Sequence, residues 1–469
     1  MMPRASEAAV LDVLTSFRVD TLPAVLVATA VPALLALVLL LAPARRQGGA
    51  PRRAPGSASW LRYCLIALGI GAALGIVVSI VVVDMLDAFG VPVALPVRLA
   101  VALALGMAAV GLAVLLAPTN RRPGAARRAT AAVLVVTAAL SGAVGVNAGF
   151  GKYRTLGDLV PPQPVDIAGG GGGALPVRVA TGDVAVSAAA WSPPADLPAA
   201  GTLLSVEIPG AVSGFPARPA SLYLPPAALV TDPPALPVMV LLSGQPGDPT
   251  DMLVAGQFRD ALDAFAAAHG GLAPIVVSPD QLSAEDVNPL CVDGPFGASR
   301  TYLETDVPAW ILHNLNVATG RLAWAFGGYS QGGTCTFQIG LDDPARYGTD
   351  VVVAAELAPE IGDQATTLAQ GFGGDQAAMD AAQPLQVLAR NAPYRDTVLV
   401  QGTGSEDVLF SAWADQLQAA AQGAGVETQR VTSPGTAHDF NSVRYTLDHA
   451  LPVFADRSGL TSGAAGSAP

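Results

Sequence analysis

Apolar residues fill every position of the helical period, not just one face of it, in four windows of the N-terminal third: Thr21–Ala44, Tyr63–Val83, Leu99–Asn120 and Ala129–Gly151. None of these windows contains a charged side chain, and each has the roughly 20 residues a helix needs to cross the hydrocarbon core. The rival reading is four buried helices of a soluble core, but repeated all-apolar windows of this length favour lipid. The pattern predicts an all-α domain of four transmembrane spans over residues 1–151. Pro23, Pro32 and the glycines at 69, 71 and 75 suit lipid-embedded helices that pack on one another.

The patterning then breaks up. Residues 152–200 contain Pro161-Pro162, the run Gly169–Gly173 and Pro193-Pro194, a mixture of flexible and stiff chemistry that predicts a linker. The short apolar runs Val177–Ala180 and Val184–Val186 are its only candidates for added edge strands. From about Gly201 apolar runs alternate with helical spacing. Leu203–Ile208, Leu222–Leu224, Val238–Leu242, Pro274–Val277, Leu322–Phe326, Val351–Ala355 and Thr397–Val400 read as strands, and Asp251–Ala268, Thr305–Leu315, Gly332–Leu341, Met379–Leu388 and Ala412–Ala421 read as helices. Such alternation implies an α/β domain over residues 201–456 with a mostly parallel sheet, the first two runs forming an antiparallel edge hairpin. Residues 457–469 read as a disordered tail.

Charge sharpens this division. Residues 1–150 carry 12 Arg against 5 acidic residues, whereas residues 151–469 carry 13 Lys/Arg against 32. Arg45, Arg46, Arg52 and Arg53 lie between spans one and two, and Arg121, Arg122, Arg127 and Arg128 between spans three and four. Short basic loops stay on the cytoplasmic side, so the N-terminus and everything after span four are expected outside. The spans hold no ionisable group in their interiors, and such groups usually mark an ion or proton path; an anchor is expected, not a transporter. A mean hydropathy of +0.46 agrees with residence partly in lipid. The strongly acidic larger part, without a basic stretch interleaved with aromatics, excludes a nucleic-acid partner. Cysteines number three and lack zinc-ligand spacing, so no structural metal is expected. Cys291 and Cys335 are either paired or two separate buried thiols.

The strongest chemical signal is Gly328-Tyr329-Ser330-Gln331-Gly332, which follows a strand and precedes a helical run. A serine raised on a tight strand-to-helix turn exposes its hydroxyl, and small flanking residues let strand and helix close. Serine is a weak nucleophile until a base takes its proton, and a carboxylate must hold that base in the right tautomer. The chain order Ser, acid, His is expected for this turn. Of the four histidines, His269, His313 and His449 sit in or at the end of helical segments and read as packing or surface residues. His438, alone in the loop Ser433–Phe440, is the expected base. The turn Gly402-Thr403-Gly404-Ser405-Glu406-Asp407 supplies the acid, with Asp407 favoured and Glu406 the alternative. Asp439 reads as a solvated or helix-capping residue. Two aimed N–H groups must stabilise the oxyanion; Gln331, after the nucleophile, and Gln245, in Ser243-Gly244-Gln245-Pro246-Gly247, are the expected donors.

These residues resemble the esterase family that includes esterase D and the antigen 85 mycolyltransferases. The similarity covers roughly Pro237–Phe454. It rests on Leu241-Leu242-Ser243-Gly244, on Cys291 followed by Thr301-Tyr302-Leu303 and Asp306-Val307-Pro308, on the serine turn, and on Gly435-Thr436-Ala437-His438. The resemblance implies an α/β-hydrolase fold, ester chemistry through an acyl-serine, no cofactor, the same oxyanion donors, and a disulfide from Cys335 to Cys291. The chain departs from the mycolyltransferases at Ser243-Gly244-Gln245-Pro246, where they carry Asp-Gly-Leu-Arg, and at the acid, where they use Glu. The expected partners are therefore the lipid bilayer and a lipid-linked or cell-envelope ester, acyl or aminoacyl, hydrolysed at the outer face of the cell membrane. An acyltransferase using the same intermediate and a non-catalytic envelope scaffold are the alternatives.

Overall fold

The computed structural model describes residues 16–41, 58–86, 93–117, 124–159 and 185–461. It divides into two compact units, Met1–Val160 and Pro161–Pro469.

The first unit contains helices α1 (Leu22–Leu41), α2 (Ala58–Ser79, continued by the wider turn Ile80–Met85), α3 (Leu95–Leu115) and α4 (Ala125–Phe150). All four are long and apolar enough to cross a membrane, with mean hydropathies of 2.8, 2.8, 2.2 and 2.0. They start four or five residues earlier than the sequence windows at α2, α3 and α4, because flanking polar residues such as Ser59, Arg62, Arg98 and Arg127 continue the helical hydrogen bonding. Two of the three glycines expected to pack do so: a Cβ on Gly71 or Gly75 would collide with the backbone of α3 at Leu105 and Ala102, whereas one on Gly69 would meet nothing within 4 Å. Large apolar side chains such as Leu26, Ile70, Leu99 and Leu140 remain exposed around the unit, as lipid-facing positions would. The predicted linker is corrected at this end. Residues 151–159 belong to the first unit, since Arg154 and Phe17 carbonyls accept from Val19 and Leu156 N–H and Asn147 brackets Tyr153 with two hydrogen bonds.

The second unit is an eight-stranded sheet in the order β1-β2-β4-β3-β7-β8-β9-β10. Its strands are β1 (Thr202–Val206), β2 (Ala220–Leu224), β3 (Val238–Leu242), β4 (Ile275–Ser278), β7 (Trp324–Tyr329), β8 (Thr349–Val353), β9 (Val398–Gly404) and β10 (Glu427–Ser433); β5 (Asp293–Gly294) and β6 (Gly297–Ala298) form a separate small hairpin. Strands β1 and β2 make the predicted antiparallel hairpin, β2 joins β4 antiparallel, and the rest are parallel. The central strands β3, β7 and β8 are buried along their whole length, as a parallel sheet covered on both faces requires. Helices α5 (Phe258–Ala268), α6 (Val307–Asn314), α7 (Gln331–Ile339), α8 (Gln376–Ala381), α9 (Pro384–Asn391), α10 (Val408–Gly423) and α11 (Phe440–Arg457) flank it.

Several boundaries differ from expectation for identifiable reasons. The helix read over Asp251–Ala268 starts at Phe258, because Gly256 N–H turns back to Asp251 O. That read over Met379–Leu388 is two helices, since Pro384 can open a helix but not continue one. The linker again ends early: Val186 N–H donates to Ala235 O, Ala188 N–H to Leu460 O and Trp191 Nε1–H to Gly270 O, so residues 185–200 belong to the α/β unit. The Gly169–Gly173 run and Val177–Ala180 lie outside the described residues. The tail is corrected too, for Leu460 is fully buried in the main core; residues 462–469 lie outside the described part.

A disulfide joins Cys291, in the long loop after β4, to Cys335 on α7, 44 residues apart. Cross-linking a loop of this size removes chain entropy from the unfolded state. Replacing both cysteines by Ser is expected to cost about 2–4 kcal/mol, read as a lower urea midpoint of the purified full chain in detergent; an unchanged midpoint would show that the link contributes nothing.

Candidate active site

Strand β7 ends at Tyr329, and the chain reverses into α7 through Ser330 at φ 55° and ψ −117°. A serine at positive φ stores strain of roughly 1–3 kcal/mol, and here the surroundings hold it in place. Ser330 N–H donates to Val353 O at 2.8 Å, and Thr334 N–H returns to Ser330 O at 3.0 Å. The flanking glycines are required sterically: a Cβ on Gly328 would strike the Gly332 backbone, and one on Gly332 would strike Ser243 O. The serine itself is 7% exposed.

Asp407 and His438, the expected acid and base, come from neighbouring loops at the same edge of the sheet. Asp407 follows β9 and caps α10, accepting from Phe410 N–H at 3.3 Å. Its other oxygen meets His438 Nδ1 at 3.0 Å, with both side chains buried. The two loops are bound together by Ser405 N–H to Ser433 O, Glu406 N–H to Thr436 O and Gly435 N–H to Ser405 Oγ. His438 lies between the rings of Phe410, at 4.1 Å, and Tyr329, at 4.9 Å. Asp439 caps α11 through Asn441 and Ser442 N–H and accepts from Ala437 N–H, so the residue after the base is anchored. Burial pushes the Asp439 carboxyl up and the Tyr329 phenol well up. Asp439 thus caps a helix as expected but is not solvated.

Glu406, the alternative acid, is exposed and contributes only its backbone to this scaffold; Asp407 is the carboxylate on His438. His269 bonds Phe265 O and stacks on the Phe265 ring, and His313 and His449 are exposed. Ser330 Oγ makes no hydrogen bond to His438 among the described residues. In free enzymes such contacts are often long and close only around substrate, and Tyr329, next to the serine, already touches the imidazole.

On the oxyanion side, Gly244 faces Tyr329 and Ser330: a Cβ placed on it would stand 3.2 Å from the Tyr329 ring and 3.4 Å from Ser330 Cβ. Among the described residues, neither Gln245 N–H nor Gln331 N–H donates to a protein acceptor, which leaves both donors available to an oxyanion. No three His, Cys, Asp or Glu side chains among the described residues converge as a metal set would.

Sequence reasoning missed three polar side chains behind the serine turn. Gln281 and Asn288 contact the Gln331 side chain. Glu356, after β8, accepts from Thr334 Oγ1 at 3.1 Å, and burial pushes its carboxyl up to about 7. A polar Ser-Pro-Asp-Gln run immediately after the apolar strand β4 was the available signal for Gln281.

A family model described as "Putative esterase" matches residues 217–452. An uncharacterized protein of Corynebacterium glutamicum is 30% identical over 338 residues, which are 70% of this chain and 76% of that one; the similarity extends beyond the segment the family model matches. Among solved structures, an S-formylglutathione hydrolase from Agrobacterium tumefaciens is 19% identical, covering 56% of this chain and 97% of its own, with a TM-score of 0.46. A ferulic acid esterase is also 19% identical, covering 55% and 99%, with a TM-score of 0.47.

Glu356 generates a pH prediction. Below about 4.5 the carboxyl is protonated whether the chain is folded or not. Between 4.5 and about 7 the unfolded chain releases the proton while the folded protein keeps it, so stability falls as pH rises through this window and stays lowered above it. Glu356→Gln is expected to raise stability by about 1–3 kcal/mol at pH 8 and to leave it unchanged at pH 4, measured as urea midpoints. An equal effect at both pH values contradicts the assignment.

Proposed function

Since the chain belongs to the esterase family and is a serine ester hydrolase, we propose that Ser330, His438 and Asp407 are its catalytic triad and that it cleaves lipid-linked or cell-envelope esters outside the cytoplasm. The observation that carries the triad is the buried 3.0 Å contact from Asp407 to His438 Nδ1, in a chain whose Ser330 sits upstream on a strained strand-to-helix turn. Asp407 accepts from Nδ1–H and leaves Nε2 as the basic nitrogen. Nε2 takes the Ser330 proton as Oγ attacks the ester carbonyl, and the oxygen that becomes anionic meets the N–H groups of Gln331 and Gln245. Collapse of the tetrahedral intermediate breaks the bond to the leaving alcohol, which receives its proton from His438. Water, deprotonated by the same imidazole, then releases the acid from Ser330.

The substrate class follows from location. Four helices able to span a bilayer precede the hydrolase domain, and the arginine-rich loops between the first and second and between the third and fourth set those loops inside. This charge pattern supports an outer position for the α/β unit, within reach of acyl or aminoacyl esters of envelope lipids. The acidic surface of the domain disfavours polyanions as substrates.

Labelling, kinetics and topology fusions test these readings. A fluorophosphonate probe should label the wild type and not Ser330→Ala. Ser330→Ala, His438→Ala and Asp407→Asn should each lower kcat/KM on a soluble ester by about 10³–10⁶-fold, while Glu406→Gln stays within threefold. Labelling of the Ser330→Ala variant, or full activity of Asp407→Asn, would overturn the triad, and transfer to an added alcohol outpacing hydrolysis would reassign the enzyme as a transferase. For topology, an alkaline phosphatase fused after residue 200 should be active in cells and one fused after residue 122 inactive; the reverse pattern would refute the orientation.

A further inference from the structure

The segment that ends β4, Ser278-Pro279-Asp280-Gln281, holds the end of β3 and the loop after it by three separate contacts. Ser278 Oγ donates to Leu241 O at 2.7 Å. Asp280 is fully buried and binds Arg218, whose guanidinium also donates to Gly247 O at 3.0 Å. Gln281, also fully buried, donates through Nε2 to Ser243 O at 2.8 Å and to Gln331 Oε1 at 3.1 Å. Both of these acceptors are oxygens, so the amide nitrogen must face them. Its own Oε1 has no hydrogen-bond partner among the described residues, an unfavourable burial that the two donated bonds must offset.

These two acceptors belong to the two halves of the expected oxyanion hole. A trans peptide points its C=O and the next N–H in opposite directions, so fixing Ser243 O fixes the plane from which the loop runs through Gly244 to Gln245 N–H. The Gln331 side chain is held from both ends, by Gln281 on Oε1 and by Asn288 Oδ1 on Nε2 at 3.1 Å, which steadies the first residue of α7. One amide therefore ties together two segments that lie 38 and 50 residues away from it in sequence.

Resting on the hydrolase reading above, we propose that Gln281 is a positioning residue for catalysis: it sets the spacing between the Gln245 and Gln331 N–H donors and thereby their fit to the oxyanion, without touching substrate. Oxyanion stabilisation acts on the transition state, so its loss lowers kcat more than it raises KM.

The test uses the full chain purified in detergent, with 4-nitrophenyl butyrate as substrate and a trifluoromethyl ketone as an inhibitor that forms an oxyanion on Ser330. Gln281→Met keeps length and bulk and removes the donor. It is expected to lower kcat about 10- to 100-fold, to move KM less than threefold, and to weaken the ketone by the same factor as kcat/KM. If that variant does not fold, Gln331→Met, which removes the side-chain acceptor but keeps the backbone N–H, should show the same split between kcat and KM. A folded variant with kcat and ketone affinity within threefold of wild type, or one that loses kcat while binding the ketone normally, overturns the proposal. Wild type and Ser330→Ala run alongside: activity in the first and none in the second uphold the hydrolase reading whichever way Gln281 behaves, and an inactive wild type ends both.

Discussion

The site depends on one backbone constraint, the positive φ of Ser330. A serine reaches that conformation only if strand β7, helix α7 and the loop after β3 approach too closely for side chains, and Gly328 and Gly332 supply the missing volume. The parallel ladder fixes where this happens. Strands β3, β7, β8 and β9 end at the same edge, so the loop after β3, the Ser330 turn and the Asp407 turn emerge side by side, and the Ser330 N–H bond to Val353 O ties the turn to its neighbouring strand. The site lies where a doubly covered parallel sheet places ligand chemistry, at the carboxyl ends of its strands.

Around that turn the polar groups fall into two systems. On one side Asp407, His438 and Asp439 are set by helix caps and by hydrogen bonds between adjacent loops. On the other, Ser243, Gln281, Gln331 and Asn288 form an amide network beside the disulfide, with Gln331 Nε2 also 3.7 Å from Cys291 Sγ. Networks of this kind rigidify a site only when nearly every member is paired. The residual costs are visible in Gln281 Oε1 and the fully buried Asp350 carboxyl, which have no hydrogen-bond partner among the described residues; burial pushes the Asp350 carboxyl well up.

Much of this architecture was legible because apolar runs and turn chemistry agree locally. Strand β3 matches its apolar run residue for residue, and the serine turn, the acid turn and the isolated His438 could be read in order along the chain. Strand β10 could not: Glu-Thr-Gln-Arg-Val-Thr-Ser lies at the sheet edge with only Val431 and Ser433 buried, so no apolar run marks it. Asp407 and Glu406 are adjacent in sequence, and only the capping geometry of α10, which turns Asp407 inward, separates them. Gln281 was illegible as a site residue for another reason. Its partners are dozens of residues away, and a glutamine after a strand carries no local sign of what it will face.

The charge asymmetry of the chain bears on why anchor and enzyme are joined. A domain with such an excess of carboxylates is repelled by anionic lipid headgroups, and that repulsion decays over a Debye length of about 8 Å at physiological ionic strength. Free in solution, it would avoid the surface where an envelope-lipid substrate resides. On the proposed anchoring, covalent attachment to membrane helices would replace electrostatic recruitment with a high effective concentration, while the repulsion would oppose adhesion of the domain to the bilayer. On the proposed topology, the four helices therefore do what a basic patch does for many peripheral lipid enzymes, and the acidic surface is left free to select against polyanionic ligands.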